Sequence, residues 1–337
     1  MLQSPKVVTI FGGSGFVGRY IARRMAKEGW RVQVAVRRPN EAVFVRPYGV
    51  VGQVEPVLAN IRNDESVAHV IANSDAVVNC VSVLQEQGKQ TFEALNVEGA
   101  ARIAKACAAA GVARLVHISA LGADADSDSA SARSKAEGEQ AVLDAFPTAM
   151  ILRPSVIFGN EDQFLNRFAQ MSSFSPILPL FGGASKFQPV YVDDVAQAAC
   201  KGILGQAEPG IYELGGPDVE SLSEIVKNML HIIRRRRLVI NQPFFLGTLL
   251  GKTLDMVQML TLGLFTNTIL TADQVKQLRN DNVVSSTAKT LADLGITPTS
   301  YESVAEQYLY RYRPSGQYAE LTESARHLRG APTSSDF

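Results

Sequence analysis

Three glycines and a lysine hold the first chemistry this sequence offers. Gly12, Gly15 and Gly18 follow a G-x-x-G-x-x-G spacing, with Ser14, Phe16 and Val17 between them. Glycine lets a chain turn tightly and approach a ligand closely. Placed between a strand and a helix, such a turn offers free backbone N–H groups and the positive end of a helix dipole, which suits a pyrophosphate. Gly12 permits the turn, Gly15 the close approach and Gly18 close helix–strand packing. About 20 residues further on, an acid would hold the 2′-hydroxyl of an NAD ribose, whereas an arginine suits a 2′-phosphate. Here the sequence reads Arg37-Arg38-Pro39, and no acid lies between Trp30 and Asn40. The guanidinium fork of Arg37 can pair with a phosphate, so NADP(H) is favoured over NAD(H). Arg38 reads as a solvated neighbour.

The elements around the turn support it. Residues 7–11 form a β-branched apolar run, and Ile21, Ala22, Met25 and Ala26 recur at helical spacing. Further strands are expected at 32–36, 54–58, 76–80, 114–118 and 149–152, with helices at 91–110 and 131–146. This alternation implies right-handed crossovers and a buried parallel sheet. The expected fold is α/β, a Rossmann-type doubly wound parallel sheet with a smaller, mostly helical C-terminal lobe. Residues 1–160 are assigned to the core and 161–328 to the lobe, with some segments returning to the core. The polar tail at 329–337 reads as disordered.

Bulk properties narrow the class. Among 337 residues, 33 basic and 33 acidic side chains cancel, leaving no nucleic-acid footprint. Cys80, Cys107 and Cys200 are far apart in apolar or helical stretches and read as reduced thiols. The chain enters its first strand almost at once, so no signal peptide is expected, and a cytoplasmic compartment follows. The C-terminal third is unusual. Arg234 to Arg237 form a basic run, and Lys252 and Asp255 are the only charges from Leu238 to Ala272. Polar and helix-breaking residues interrupt that segment, which argues against a bilayer span. It reads either as a substrate-side lobe with a solvated basic loop, or as an apolar docking face with a basic collar for anionic lipid or a membrane partner.

The motifs as a set resemble the extended and atypical short-chain dehydrogenase/reductase superfamily over residues 6–230. Besides the glycines they are VVNCVS at 77–82, NVEGA at 96–100, LVHISALGA at 115–123, LRPSVIFG at 152–159 and QPVYVDDVA at 188–196. The resemblance implies that Asn60 and Ile61 lie beside adenine. It places Cys80, Val81 and Ser82 along the nicotinamide half, Asn96 as a site organiser, and Pro154 to Ile157 near the nicotinamide. The family's Y-x-x-x-K pair departs here. Lys135 keeps the lysine position and is expected to anchor ribose, but Ser131 stands where the tyrosine would be. A tyrosine titrates near pH ~10 unless a cation assists it, and an aliphatic hydroxyl is a far weaker acid. No tyrosine occurs between Tyr48 and Tyr191. Ala120 stands at the helper-serine position, with Ser119 beside it. Asp124, Asp126 and Asp128 read as a solvated loop, and His117 as a core histidine.

Within the superfamily, the stretch from Lys135 and the run Phe164-Leu165-Asn166-Arg167-Phe168 are similar to the NAD(P)-binding accessory subunits of respiratory complex I. That likeness implies a tightly held nucleotide in a structural role, complex I subunits as partners, and a peripheral place on the cytoplasmic side of an inner membrane. The alternatives are an NADP-dependent reductase, epimerase or dehydratase for a lipid-like or quinone-related substrate, and a sensor of NADP(H) level.

Overall fold

The computed structural model describes residues 5–260, 271–314, 316–318 and 324. The tail at 329–337 and the apolar stretch at 261–270 lie outside them.

The first half alternates strand and helix as its sequence demands. In order come β1 (Val7–Phe11), α1 (Phe16–Lys27), β2 (Arg31–Val36), β3 (Val54–Leu58), α2 (Asp64–Ile71), β4 (Ala76–Asn79), α3 (Glu98–Ala109), β5 (Arg114–Ile118), α4 (Ala130–Ala145) and β6 (Met150–Pro154). A ten-residue 3₁₀ segment, Pro39–Tyr48, bridges β2 and β3, and a π-helical turn, Glu93–Val97, leads into α3. The remainder comprises β7 (Ile157–Phe158), α5 (Leu165–Phe174), β8 (Ile177–Phe181), β9 (Lys186–Phe187), β10 (Val190–Tyr191), α6 (Val192–Leu204), β11 (Gly210–Leu214), β12 (Glu220–Ser221), α7 (Leu222–Ile232), β13 (Leu238–Gln242), α8 (Phe244–Leu260), α9 (Ala272–Gln277) and α10 (Tyr301–Leu309).

Seven parallel strands form one sheet in the order β11-β6-β5-β4-β1-β2-β3. Its order reverses between β1 and β4, the crevice where doubly wound sheets bind ligands. Both faces are buried, so strand side chains alternate between two apolar clusters. Val8 and Ile10 join Ile21 and Met25 of α1 on one face. Phe11 and Val77 join Ile71 of α2 and Ile103 of α3 on the other. Segments beyond residue 160 return to this unit: β11 is its seventh strand, α6 packs on α1, where Arg24 and Asp193 pair at 2.7 Å, and Leu291, Leu294 and Ile296 join the first cluster. A third cluster gathers α5, β8, α7 and α10 into a lobe around Phe158, Leu165, Leu178, Ile225 and Tyr301.

Candidate functional site

β1 delivers the glycine turn into the crevice. Gly12 takes φ 71°, and its N–H donates to the Ala35 carbonyl at 3.0 Å. Gly15 is the N-cap of α1 and donates to the Gly12 carbonyl at 2.9 Å. Gly18 is buried against the turn; a Cβ there would lie 2.5 Å from the Gly12 carbonyl oxygen and 2.6 Å from the Gly13 Cα. No side chain caps α1, and its first turn holds no acid. Its N-terminal N–H groups and dipole are therefore left for an anion. Arg19 steadies the turn from outside: its guanidinium donates to the Ser14 and Gly15 carbonyls and pairs with Glu161 at 3.3 Å.

The cleft above this turn has a volume of about 590 Å³ and is lined by Gly12, Ser14, Gly15, Arg37, Asn60, Ile61, Cys80, Val81 and Ser82. These nine residues come from the C-terminal ends of β1 to β4, so the topology gathers what the sequence scattered over 70 positions. Phe16, Val17 and Gly18 sit behind the lining in α1, with the Phe16 ring beneath Gly159. Arg38, Glu41 and Arg62 also line the cleft, and sequence reasoning gave none of them a binding role. Glu41 lies one residue beyond the acid-free stretch that ends at Asn40. That carboxylate accepts from Arg38 at 2.9 Å, and both groups are largely exposed, so the pair adds little stability. Arg62 donates to the Lys89 carbonyl at 3.2 Å. It follows Asn60-Ile61 directly and was legible as a third guanidinium at the adenosine end. Burial pushes the Cys80 thiol up to about 12.

At the other end, α4 presents Lys135 to a smaller cavity of about 160 Å³ that Ser131 also lines. Among the described residues lining it there is no tyrosine. Lys135 is partly buried. Burial brings its ammonium down to about 8, with Glu139 acting in the opposite direction. Asn96, from the π-helical turn, links both halves: it donates to Ser134 at 3.0 Å and accepts from Ser82 at 3.3 Å. Ser119 is buried and donates to Glu139, which Arg153 grips through its Nε and Nη2. Pro154 ends β6 and accepts from the Leu121 N–H, while Ile157 packs on the first core cluster. Ser119, Pro154 and Ile157 line neither cavity. His117 is buried, 3.1 Å from the Asn79 amide, and desolvation takes its pKa down to about 4, the nearby Lys135 charge adding to the effect. It is a neutral core residue. Asp124, Asp126 and Asp128 are exposed and outside the cavity lining.

One contact at this end has no local sequence signal. The Asp273 carboxylate of α9 accepts from the Ser129 hydroxyl at 2.7 Å, the Ala130 N–H at 2.8 Å and the Ser131 N–H at 3.3 Å. It caps α4 from 143 residues away.

The basic run at the edge of the lobe is only half presented outward. Arg235 donates to the Tyr312 carbonyl at 2.6 Å and Arg237 to the Ser172 carbonyl at 2.7 Å. Alternate side chains therefore brace the lobe, and Arg234 and Arg236 are the exposed pair. Nearby, Ile177 and Leu238 sit opposite each other in register and are exposed, as is Phe174, at 85%. Phe245 and Leu249 of α8 are exposed as well. Among the described residues no helix is long and apolar enough to cross a membrane, and no group of three His, Cys, Asp or Glu could hold a metal ion.

Comparison with known proteins adds four likenesses. The family described as NAD dependent epimerase/dehydratase matches residues 8–215. NADH dehydrogenase (ubiquinone) 1 alpha subcomplex subunit 9, mitochondrial, from Arabidopsis thaliana is 34% identical over 316 residues, covering 92% of this chain and 79% of that protein. A ceramide reductase of Caulobacter vibrioides is 31% identical over 241 residues, covering 70% and 74%. Among solved structures, an NADPH-dependent quinone oxidoreductase of Escherichia coli complexed with NADPH has a TM-score of 0.68 at 19% identity, covering 89% of this chain and 99% of that one. At that identity the likeness is one of fold.

Proposed function

This chain belongs to the NAD dependent epimerase/dehydratase family, and from that premise we propose that it is a non-catalytic, NADP(H)-holding accessory subunit of respiratory complex I. The observation that carries this reading is an intact phosphate cradle together with a Lys135 cavity that offers no phenol. The glycine turn and the start of α1 would hold the pyrophosphate, and Arg37 and Arg62 the 2′-phosphate. Asn60 and Ile61 would flank adenine, Cys80, Val81 and Ser82 the nicotinamide half, and Lys135 the ribose. Ser119, Pro154 and Ile157 frame that end. A bound nicotinamide would supply hydride chemistry, but the described lining of the Lys135 cavity offers no phenol to carry the matching proton. What remains is stabilisation by mass action, about 2.7 kcal/mol when free nucleotide stands at 100 times its Kd.

The place of action in this proposal is the cytoplasmic side of an inner membrane, peripherally. Arg234 and Arg236 beside Phe174, Ile177 and Leu238 form the face toward anionic lipid or a membrane subunit. Each arginine near such a surface contributes about 1 kcal/mol. Mild detergent extraction of native membranes tests the assignment: the chain is expected to migrate with NADH dehydrogenase activity. Recovery as a free soluble protein that turns over NADPH with a small substrate would overturn it.

The cofactor preference has its own test. Arg37→Ala is expected to weaken NADPH about 10- to 100-fold, the loss of one charge-assisted hydrogen-bonding group of about 1.5–3 kcal/mol, and to leave NADH binding unchanged. Equal losses for both nucleotides would remove the 2′-phosphate from the assignment. A second reading, a reductase for a lipid-like substrate, is favoured by the ceramide reductase likeness and by an apolar cavity adjoining that of Lys135. Steady NADPH oxidation driven by a long-chain ketone would select it.

A further inference from the structure

The lobe carries a second large cavity, about 440 Å³ and open to solvent on one side, separate from the cradle. Its volume falls within the range of small-molecule sites, roughly 300–1,000 Å³. Phe164 at the N-cap of α5 and Phe168 and Met171 within it line it together with Leu180, Phe187 and Leu222. The aromatic part of this wall is braced: Phe164 meets Phe168 edge to face at 5.8 Å and lies 6.2 Å from Phe187.

Three polar side chains of the lining serve the protein, while Gln163 stands exposed at the rim. Gln277 donates to the Ser129 hydroxyl at 3.0 Å, and Gln274 accepts from the Thr271 N–H at 3.2 Å. Asn282 accepts from the Ser155 hydroxyl at 2.6 Å and donates to the Leu121 carbonyl at 3.3 Å. Water in such a space finds few of the two to four partners it needs. A nucleotide-sugar would likewise bury its hydroxyls against phenylalanine and leucine at a cost. The occupant that fits is hydrocarbon along most of its length. Among the described lining residues Arg167 is the one charged side chain, which sets the preferred polar end as an anion.

We propose that this cavity binds a single long hydrocarbon chain with an anionic head, from a free fatty acid or from the acyl arm of an anionic phospholipid. The two cavities share Gln274, Gln277 and Asn282, so the chain lies against the wall of the Lys135 cavity. The assignment does not depend on which nucleotide the cradle holds.

Titration of the purified full-length chain with palmitate is expected to saturate at about one molecule per chain, as one cavity of this size allows. Leu180→Trp, which fills the cavity, is expected to weaken palmitate at least about tenfold while NADPH binding stays as in the parent protein. Met171→Phe serves the same purpose if the tryptophan variant does not fold. Arg167→Gln is expected to bring palmitate affinity down to that of hexadecanol. Solvent extraction of the protein as purified, read by mass spectrometry, separates the two sources: a free fatty acid or a phospholipid supports the proposal. Palmitate binding that does not saturate, or that both filled variants retain in full, overturns it.

Discussion

Gly18→Ala protein is expected to melt well below the parent and to bind NADPH about a hundredfold more weakly, the equivalent of about 2.8 kcal/mol. The cause is space. A Cβ at this position meets the Gly12 carbonyl oxygen at 2.5 Å and the Gly13 Cα at 2.6 Å, and both are backbone atoms that cannot rotate away. Either α1 retreats from β1 or the turn opens. The first weakens the packing of Ile21, Ala22 and Met25 against the sheet, and overpacking of this kind typically costs about 1–3 kcal/mol. The second moves the N–H groups that face the pyrophosphate. Thermal melts with and without NADPH separate the two. A variant with parental melting temperature and parental affinity would mean that the close approach of helix and turn has no energetic weight.

Arg153→Met is expected to destabilise the protein by about 3–5 kcal/mol, the range for stranding one partner of a buried ion pair. The Glu139 side chain is only 4% exposed, and Arg153 meets it at 2.6 Å and 3.0 Å. Once the arginine is gone, a buried carboxylate on α4 is left with the Ser119 hydroxyl and the nearby Lys135 charge. The pairing of Glu139 with Arg153 ties α4, the helix that carries Lys135, to β6. The double variant Glu139→Gln/Arg153→Met is expected to recover much of the loss, because it removes the stranded charge. Chemical denaturation of these two variants and of Glu139→Gln alone gives the coupling directly. A double variant as unstable as Arg153→Met would place the cost in lost packing of the arginine stem.

The cradle was legible because its determinants are local. Glycines at fixed spacing, an apolar run before them and a helical pattern after them describe β1, the turn and α1 without reference to the rest of the chain. The parallel sheet followed from alternation alone, since a strand buried on both faces reads as a continuous apolar run. The far end was less legible because its contacts are long-range. Ser119 stands next to a helper-serine position in sequence, yet its hydroxyl is turned to Glu139, and only the fold brings that carboxylate within reach. The arginine run read as four equal charges; backbone carbonyls of Tyr312 and Ser172, distant in sequence, divide it into two pairs. Glu41 was passed over because the 3₁₀ segment after β2 returns it to the rim of the cleft.

The capping of α4 by Asp273 bears on how the protein is made. A cap of this kind is worth about 1 kcal/mol, and domains emerge from the ribosome N-terminal part first. The helix that carries Lys135 is therefore synthesised long before the carboxylate that completes its first turn. Until α9 has been translated, the nascent chain can close its early strands but leaves that turn exposed to solvent. The Ser129 hydroxyl caps the helix from the start, and the carboxylate adds its share only once the lobe has been translated.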